Sequence, residues 1–90
     1  MKDIRTRFEE TISRATRESQ KTDSFGYLPG IIRSLENMRD TLNGNLPDEK
    51  KRSSMAGAVG RLVSEDYEFS ESELGGNILR LIDDYVDAPE

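Results

Sequence analysis

The sequence contains no cysteine and no histidine. Without cysteine the chain cannot form a disulfide, a thiolate nucleophile or a zinc–sulfur site, and without histidine it lacks the commonest general base and metal ligand. These two absences exclude most enzyme chemistries. We therefore expect a protein that is not an enzyme, with no catalytic residues, no cofactor-binding residues and no metal ligands.

The sequence also lacks long hydrophobic runs. No apolar segment approaches the roughly 18 residues that are needed to cross a bilayer. The first residues, Met-Lys-Asp-Ile-Arg-Thr-Arg-Phe, do not include the apolar segment of a signal peptide. We therefore expect a cytoplasmic protein that does not act at a membrane.

Large apolar residues are scarce. Leu, Ile, Val and Phe together make up 20 of the 90 residues, and 34% of the chain is charged. This length is enough for one domain, residues 1–90, but the hydrophobic core of that domain must be small. A small core gains stability when more apolar surface is buried against another chain. We therefore expect a protein partner or a homo-oligomer.

Acidic residues are concentrated towards the end of the sequence. The net charge is −5, but residues 1–63 contain 12 Lys and Arg against 9 Asp and Glu, whereas residues 64–90 contain one Arg against nine acids. The balance is therefore +3 for the first part and −8 for the second. A helical bundle can bring the two parts together so that they neutralise each other, whereas an acidic face left exposed would attract a basic partner.

Hydrophobic periodicity predicts an all-α fold. Apolar residues recur at spacings of three and four along four segments, which is the pattern of amphipathic helices. The predicted helices span about residues 3–19, 30–43, 47–64 and 71–87. Asn43-Gly44 is typical of a left-handed helix end, and Leu46-Pro47 begins the third helix. We predict a compact four-helix domain built from two antiparallel helical hairpins.

The last predicted helix has the widest apolar face. Ser70 and Glu73 have the spacing of a capping box, which predicts a helix start near residue 71. The apolar positions cover an arc of roughly 160°, which is wide for a surface helix. They are Leu74, Ile78, Leu79, Leu81, Ile82, Tyr85 and Val86. The opposite face includes Asp83, Asp84 and Asp87, which are candidate partner-binding residues.

The third predicted helix has a strip with almost no side chain. Ser53, Gly57 and Gly60 lie within about 60° of one another on a helical wheel. A glycine inside a helix costs about 1 kcal/mol relative to alanine, so two glycines on one face suggest that a side chain there would obstruct a neighbour. Three explanations remain open: a closely packed neighbouring helix, a docking groove for a partner, or a break in the helix near Gly57.

The sequence contains two further clusters of charged residues, one acidic and one basic. Asp66, Glu68, Glu71 and Glu73 do not follow the alternating ligand pattern of a calcium-binding loop, so no metal site is predicted. Arg7, Arg14, Arg17 and Lys21 form a basic stripe on the first helix, interrupted by Asp3 and Glu10. Such a stripe is typical of a solvated helix flank or of a face that packs on the acidic last helix.

Three functional hypotheses follow. The first is a small acidic protein-interaction module or regulatory subunit, with Ser53, Gly57, Gly60, Asp83, Asp84 and Asp87 as partner-binding residues. The alternative is an inhibitor whose acidic segment, residues 65–90, mimics nucleic-acid phosphate and blocks a basic site on a nuclease or toxin. The third is nucleic-acid binding through the first helix, which interleaved carboxylates and a negative net charge oppose.

Overall fold

The computed structural model describes residues 3–88, which form five helices. The long helices are α1 (Ile4–Ser19), α2 (Leu28–Thr41), α3 (Glu49–Ser64) and α5 (Glu73–Val86), and a short helix, α4 (Tyr67–Glu71), lies between α3 and α5. About 76% of the described residues, 3–88, are helical, and they include no strand. The predicted all-α fold is confirmed, and the four predicted segments correspond to the four long helices. Residues 1, 2, 89 and 90 of the predicted domain lie outside the described chain.

The four long helices form a bundle in which sequence neighbours run antiparallel. Arg39 of α2 contacts Glu9 of α1 at 3.3 Å, so the end of α2 lies beside the first half of α1. Arg52, near the start of α3, contacts the carbonyl oxygen of Val86, at the end of α5. The helices therefore pair as two antiparallel hairpins, α1 with α2 and α3 with α5, and α5 also packs against α1.

The core lies between the apolar faces that the periodicity predicts. The fully buried large side chains are Phe8, Leu28, Ile31, Leu35, Met38, Val59, Val63, Ile78, Leu81 and Tyr85. Tyr85 of α5 packs edge-on against Phe8 of α1, with ring centroids 5.8 Å apart. Its hydroxyl lies 2.7 Å from the hydroxyl of Thr41, so the polar end of this buried ring has a hydrogen-bond partner.

Arg52 is the one charged residue that is buried among residues 3–88, with 3% of its surface exposed. Its Nη1 donates to the carbonyl oxygen of Pro47 at 2.7 Å, and its Nη2 donates to that of Val86 at 3.1 Å. The last carbonyl groups of a helix have no partner inside that helix. Arg52 therefore satisfies the end of α5 and joins it to the start of α3.

The connection between α3 and α5 differs from the prediction. Residues 65–70, which lie between the third and fourth predicted helices, include most of α4, whose N-cap Asp66 accepts a hydrogen bond from the Phe69 amide at 3.0 Å. The capping box at Ser70 is wrong: Ser72 is the N-cap of α5, and its hydroxyl accepts from the Gly75 amide at 3.0 Å. Ser70 instead donates to the Tyr67 carbonyl within α4. A five-residue helix is too short to produce a recognisable apolar period.

In the connection between α2 and α3, the turn predicted at Asn43-Gly44 is present, but α3 begins at Glu49, after its N-cap Asp48, and not at Leu46-Pro47. Gly44 has a φ of 108°, a backbone conformation that residues with a Cβ rarely adopt. In the first connection, Phe25 is half-buried and stacks on Phe69 with ring centroids 4.6 Å apart. This stack covers the end of the bundle next to α4, while Tyr27 stays 51% exposed.

Candidate functional site

The antiparallel pairing of α3 and α5 leaves a groove between them that is open to solvent. The groove has a volume of about 550 Å³. Ser53, Ala56, Gly57 and Gly60 line it from α3, and Leu79, Ile82, Asp83, Val86 and Asp87 line it from α5. We call this cavity the α3–α5 groove. It brings together the small-residue strip of α3 and two of the three predicted acidic residues of α5.

The α3 side of the groove is formed by the small-residue strip. A methyl group added at Gly60 would lie 3.7 Å from Cδ1 of Ile82, which is ordinary van der Waals contact. A methyl group added at Gly57 would have no neighbour within 4 Å. Helix α3 continues through both positions, so the predicted alternative of a break near Gly57 is wrong. Packing of α5 against α3 gives Gly60 a neighbour but leaves Gly57 open.

The α5 side of the groove is apolar. Ile82 lies at the floor with 4% of its surface exposed, and Leu79 and Val86 are half-buried beside it. The sequence predicted these three residues as part of one core face and did not assign them to a site. The available signal was the width of the apolar arc, because a helix that faces only a core needs a narrower stripe. Leu79 and Val86, at the edge of this apolar arc, line the groove.

The predicted acidic residues of α5 divide between two surfaces. Asp83 and Asp87 are exposed at the rim of the groove, and neither takes part in an ion pair within residues 3–88. Asp84 instead lies on the side facing α1, where its Oδ2 is 2.6 Å from Nη1 of Arg7. Of the six residues predicted to bind a partner, five therefore line the groove, and Asp84 is separated from it.

Part of the basic stripe on α1 faces the acidic last helix. Besides the contact between Arg7 and Asp84, Nη1 of Arg14 lies 3.4 Å from Oε1 of Glu73. At the end of α1, Lys21 pairs with Glu18 at 3.0 Å. Of the two alternatives given for this stripe, contact with the last helix holds for Arg7 and Arg14, and the solvated flank with local pairs holds for Lys21. Both arginines contact carboxylates of α5, and nucleic-acid binding through the first helix stays a prediction.

Residues 3–88 offer neither a cluster of metal ligands nor a membrane-spanning helix. Within residues 3–88 there is no group of three or more acidic, cysteine or histidine residues that could hold a metal ion. None of the helices in this range is both long enough and apolar enough to cross a membrane. Comparison of the chain with protein-family models, curated proteins and solved structures finds no match. The chemistry of the α3–α5 groove must therefore be interpreted from its own residues.

Proposed function

We propose that this chain is a small acidic protein-interaction module or regulatory subunit that binds a helix of its partner in the α3–α5 groove. The observation that carries the proposal is the open space at Gly57 in the middle of a continuous helix. Alanine at an interior helix position is favoured over glycine by about 1 kcal/mol. Since no atom of the described fold would obstruct a side chain at Gly57, the glycine suits a surface that must receive another molecule.

The lining of the groove supports a helical partner with a definite chemistry. Ser53 and Gly60 are seven residues apart, so the small-residue strip extends over about 10 Å of α3. A helix docks in such a groove through apolar residues on one face. Ile82 and Val86 offer apolar contact, and Asp83 and Asp87 at the rim favour Lys or Arg on the flanks of the docked helix. The proposed occupant is therefore an amphipathic helix with a small apolar face and basic flanks.

The proposal includes no catalytic activity, cofactor or metal ion, and it places the module in the cytoplasm. The lack of histidine and cysteine supports the first part of this proposal. A module of this kind acts by occupying a surface of its partner or by holding two partners together. The groove, rather than a reactive group, would then be the functional unit of the domain.

A first experiment fills the groove without disturbing the fold. Gly57→Leu places a large side chain where the described structure has open space, and Ala58→Leu adds the same kind of bulk at the next residue, which is exposed and outside the groove lining. Both variants and the wild type are tagged and used to capture partners from the native cytoplasm. We expect Gly57→Leu to lose at least about nine-tenths of a captured protein, equivalent to roughly 1.4 kcal/mol.

Ala58→Leu should retain that protein at the wild-type level, and circular dichroism should show that all three proteins are folded. Equal capture by wild type and Gly57→Leu would remove the groove as the binding surface. Sedimentation equilibrium of the same proteins tests self-association. A wild-type dimer that Gly57→Leu dissociates would identify a second copy, rather than a different protein, as the occupant.

The acidic-mimic hypothesis remains the second candidate because several acids of the last segment are exposed and outside ion pairs within residues 3–88. Asp83 and Asp87 belong to this set, and so do Glu65 and Glu68 near α4. A mimic of nucleic acid would use charge over the whole segment, whereas the groove proposal uses the two rim carboxylates with the apolar floor. The two hypotheses therefore differ in which carboxylates matter.

Two double variants separate these hypotheses. Asp83→Asn with Asp87→Asn neutralises the rim of the groove, and Glu65→Gln with Glu68→Gln removes the same number of charges away from it. The association rate with the captured partner is measured for each at about 50 and 300 mM salt, because exposed charges are screened more strongly at the higher salt. If only the rim pair slows association, the groove proposal is supported. Comparable slowing by both pairs, abolished by salt, would favour the mimic.

A further inference from the structure

A second cleft lies between α1 and α5, on a different surface from the α3–α5 groove. It has a volume of about 340 Å³, and three arginines line it: Arg7 and Arg14 from α1, and Arg80 from α5. Asn77 and Glu10 also belong to its walls. The lining of the cleft therefore includes three guanidinium groups and one carboxylate. We call this cavity the arginine cleft.

The antiparallel packing of α1 and α5 sets the positions of the three arginines. Arg7 is level with Asp84 and Arg14 is level with Glu73, so these two arginines lie two turns, or about 10 Å, apart along α1. In the sequence of α5, Arg80 lies between Glu73 and Asp84, the residues that contact Arg14 and Arg7. Its Nη2 donates to Oδ1 of Asn77, which holds this guanidinium against α5 and beside the cleft.

The arginines retain hydrogen-bonding capacity. A guanidinium has five N–H donors, and the contact of Arg7 with Asp84 and that of Arg14 with Glu73 are each made through Nη1. Arg80 forms no ion pair within residues 3–88. Because Arg7 and Arg14 are about one-third exposed in their side chains, their carboxylate contacts are of the partly solvated kind that contributes little to stability. An anion in the cleft could therefore bind Arg7 and Arg14 alongside these carboxylates, or displace the carboxylates from the arginines.

From this geometry we infer that the arginine cleft binds a phosphate group. The ligand must compete with carboxylates that already contact two of the arginines, which favours an anion with more charge and more acceptor oxygens than a carboxylate. Phosphate meets this condition, and planar guanidinium groups bind its oxygens in pairs. Glu10 in the wall opposes an anion, so binding should be weak. The inference does not depend on the α3–α5 groove.

The experiment titrates the full chain with inorganic phosphate and follows backbone amides by NMR at low ionic strength, with sodium chloride as the control for ionic strength. We expect saturable shifts at Thr11, Asn77 and Arg80, with a dissociation constant of about 1 mM. Arg80→Gln should weaken binding roughly tenfold, the effect of one charge-assisted contact. Arg33→Gln, which removes an exposed charge on α2, should change it by less than about twofold.

Glu10→Gln offers a test with the opposite sign, since removing a negative charge from the wall should strengthen phosphate binding. O-phosphoserine is titrated in parallel, and tighter binding than inorganic phosphate would indicate that the cleft takes an esterified phosphate, while weaker binding would indicate the free ion. Shifts that do not saturate, or that Arg80→Gln and Arg33→Gln reduce equally, would show general screening and overturn the inference.

Discussion

Gly75 in α5 and Gly57 in α3 are both helical glycines, but their surroundings are opposite. A methyl group added at Gly75 would lie 1.9 Å from the carbonyl oxygen of Phe69, far inside the contact distance of any atoms. The same methyl group at Gly57 would meet nothing within 4 Å. The backbone of α4 therefore excludes a side chain from the first position, and no part of the described fold excludes one from the second.

The difference separates a glycine that the fold requires from one that it does not. At Gly75 the chain turns sharply from α4 into α5, and the close approach of the two helices compensates for the helix propensity that glycine lacks. At Gly57 the cost of about 1 kcal/mol relative to alanine has no compensation within the domain. Contact with another molecule would supply this compensation. For this reason the α3–α5 groove is a better candidate for function than the α4–α5 corner.

The largest expected effect is at the corner between α4 and α5. Gly75→Ala should lower the free energy of unfolding by roughly 3 kcal/mol, because the added methyl group must push the Phe69 backbone away from α5. Urea denaturation measures this loss. Gly76→Ala is the matched control, since a methyl group there would lie 3.7 Å from Nη1 of the flexible Arg80 side chain. Equal stability of the two variants would mean that the corner is not closely packed.

A smaller loss is expected when the aromatic anchor of the same corner is removed. Phe69→Ala should destabilise the domain by about 2 kcal/mol, below the value for a fully buried phenylalanine because this ring is half-buried and stacked on Phe25. The measurement is again the denaturation midpoint and slope in urea. Tyr67→Ala, at a ring that is 76% exposed, provides the control and should leave stability nearly unchanged.

At Gly57 the expected change has the opposite sign. Gly57→Ala should stabilise the domain by about 0.5–1 kcal/mol, since alanine favours the helix and finds free space in the groove. For a domain of this size the gain corresponds to an increase in the melting temperature of a few degrees, roughly 2–8 °C. Thermal unfolding followed by circular dichroism checks it. A destabilised variant would contradict the contrast between the two glycines.

The smallest effect on stability is expected at the rim of the groove. Asp83→Asn with Asp87→Asn should leave the urea midpoint unchanged, because neither carboxylate has an ion-pair partner within residues 3–88. Asp84→Asn, which removes the contact with Arg7, should lower the midpoint slightly, and more at low salt than at high salt. A larger loss from the rim pair than from Asp84→Asn would assign Asp83 and Asp87 a role in folding.

Most of the fold could be predicted because its signals are local. Ile31, Leu35 and Met38 repeat at the period of a helix, and that period alone identifies the buried face of α2. The helix α4 and the N-cap Ser72 could not be predicted in the same way. Several serine and acidic residues in that segment can cap a helix, and their spacing alone does not choose between Ser70 and Ser72.

The candidate site was predicted in parts. The strip of Ser53, Gly57 and Gly60 and the acidic face of α5 were each visible as patterns on single helices. That Asp83 and Asp87 lie beside this strip, while Asp84 contacts Arg7, depends on the rotation of α5 about its own axis. Neighbouring positions on one helix differ by 100°, so a single turn can contribute to two surfaces.

By itself, the sequence determined the helical fold, the buried faces of the long helices and the residue types available for function, because periodicity and composition are properties of the chain alone. Only the tertiary structure decided that Gly75 is required by the α4–α5 corner and Gly57 is not, since the two glycines look alike in sequence. It also decided that five predicted residues share one groove, and that Arg80 lies beside Arg7 and Arg14. These relations join residues that are distant in sequence, and the packing of whole helices sets the space between them.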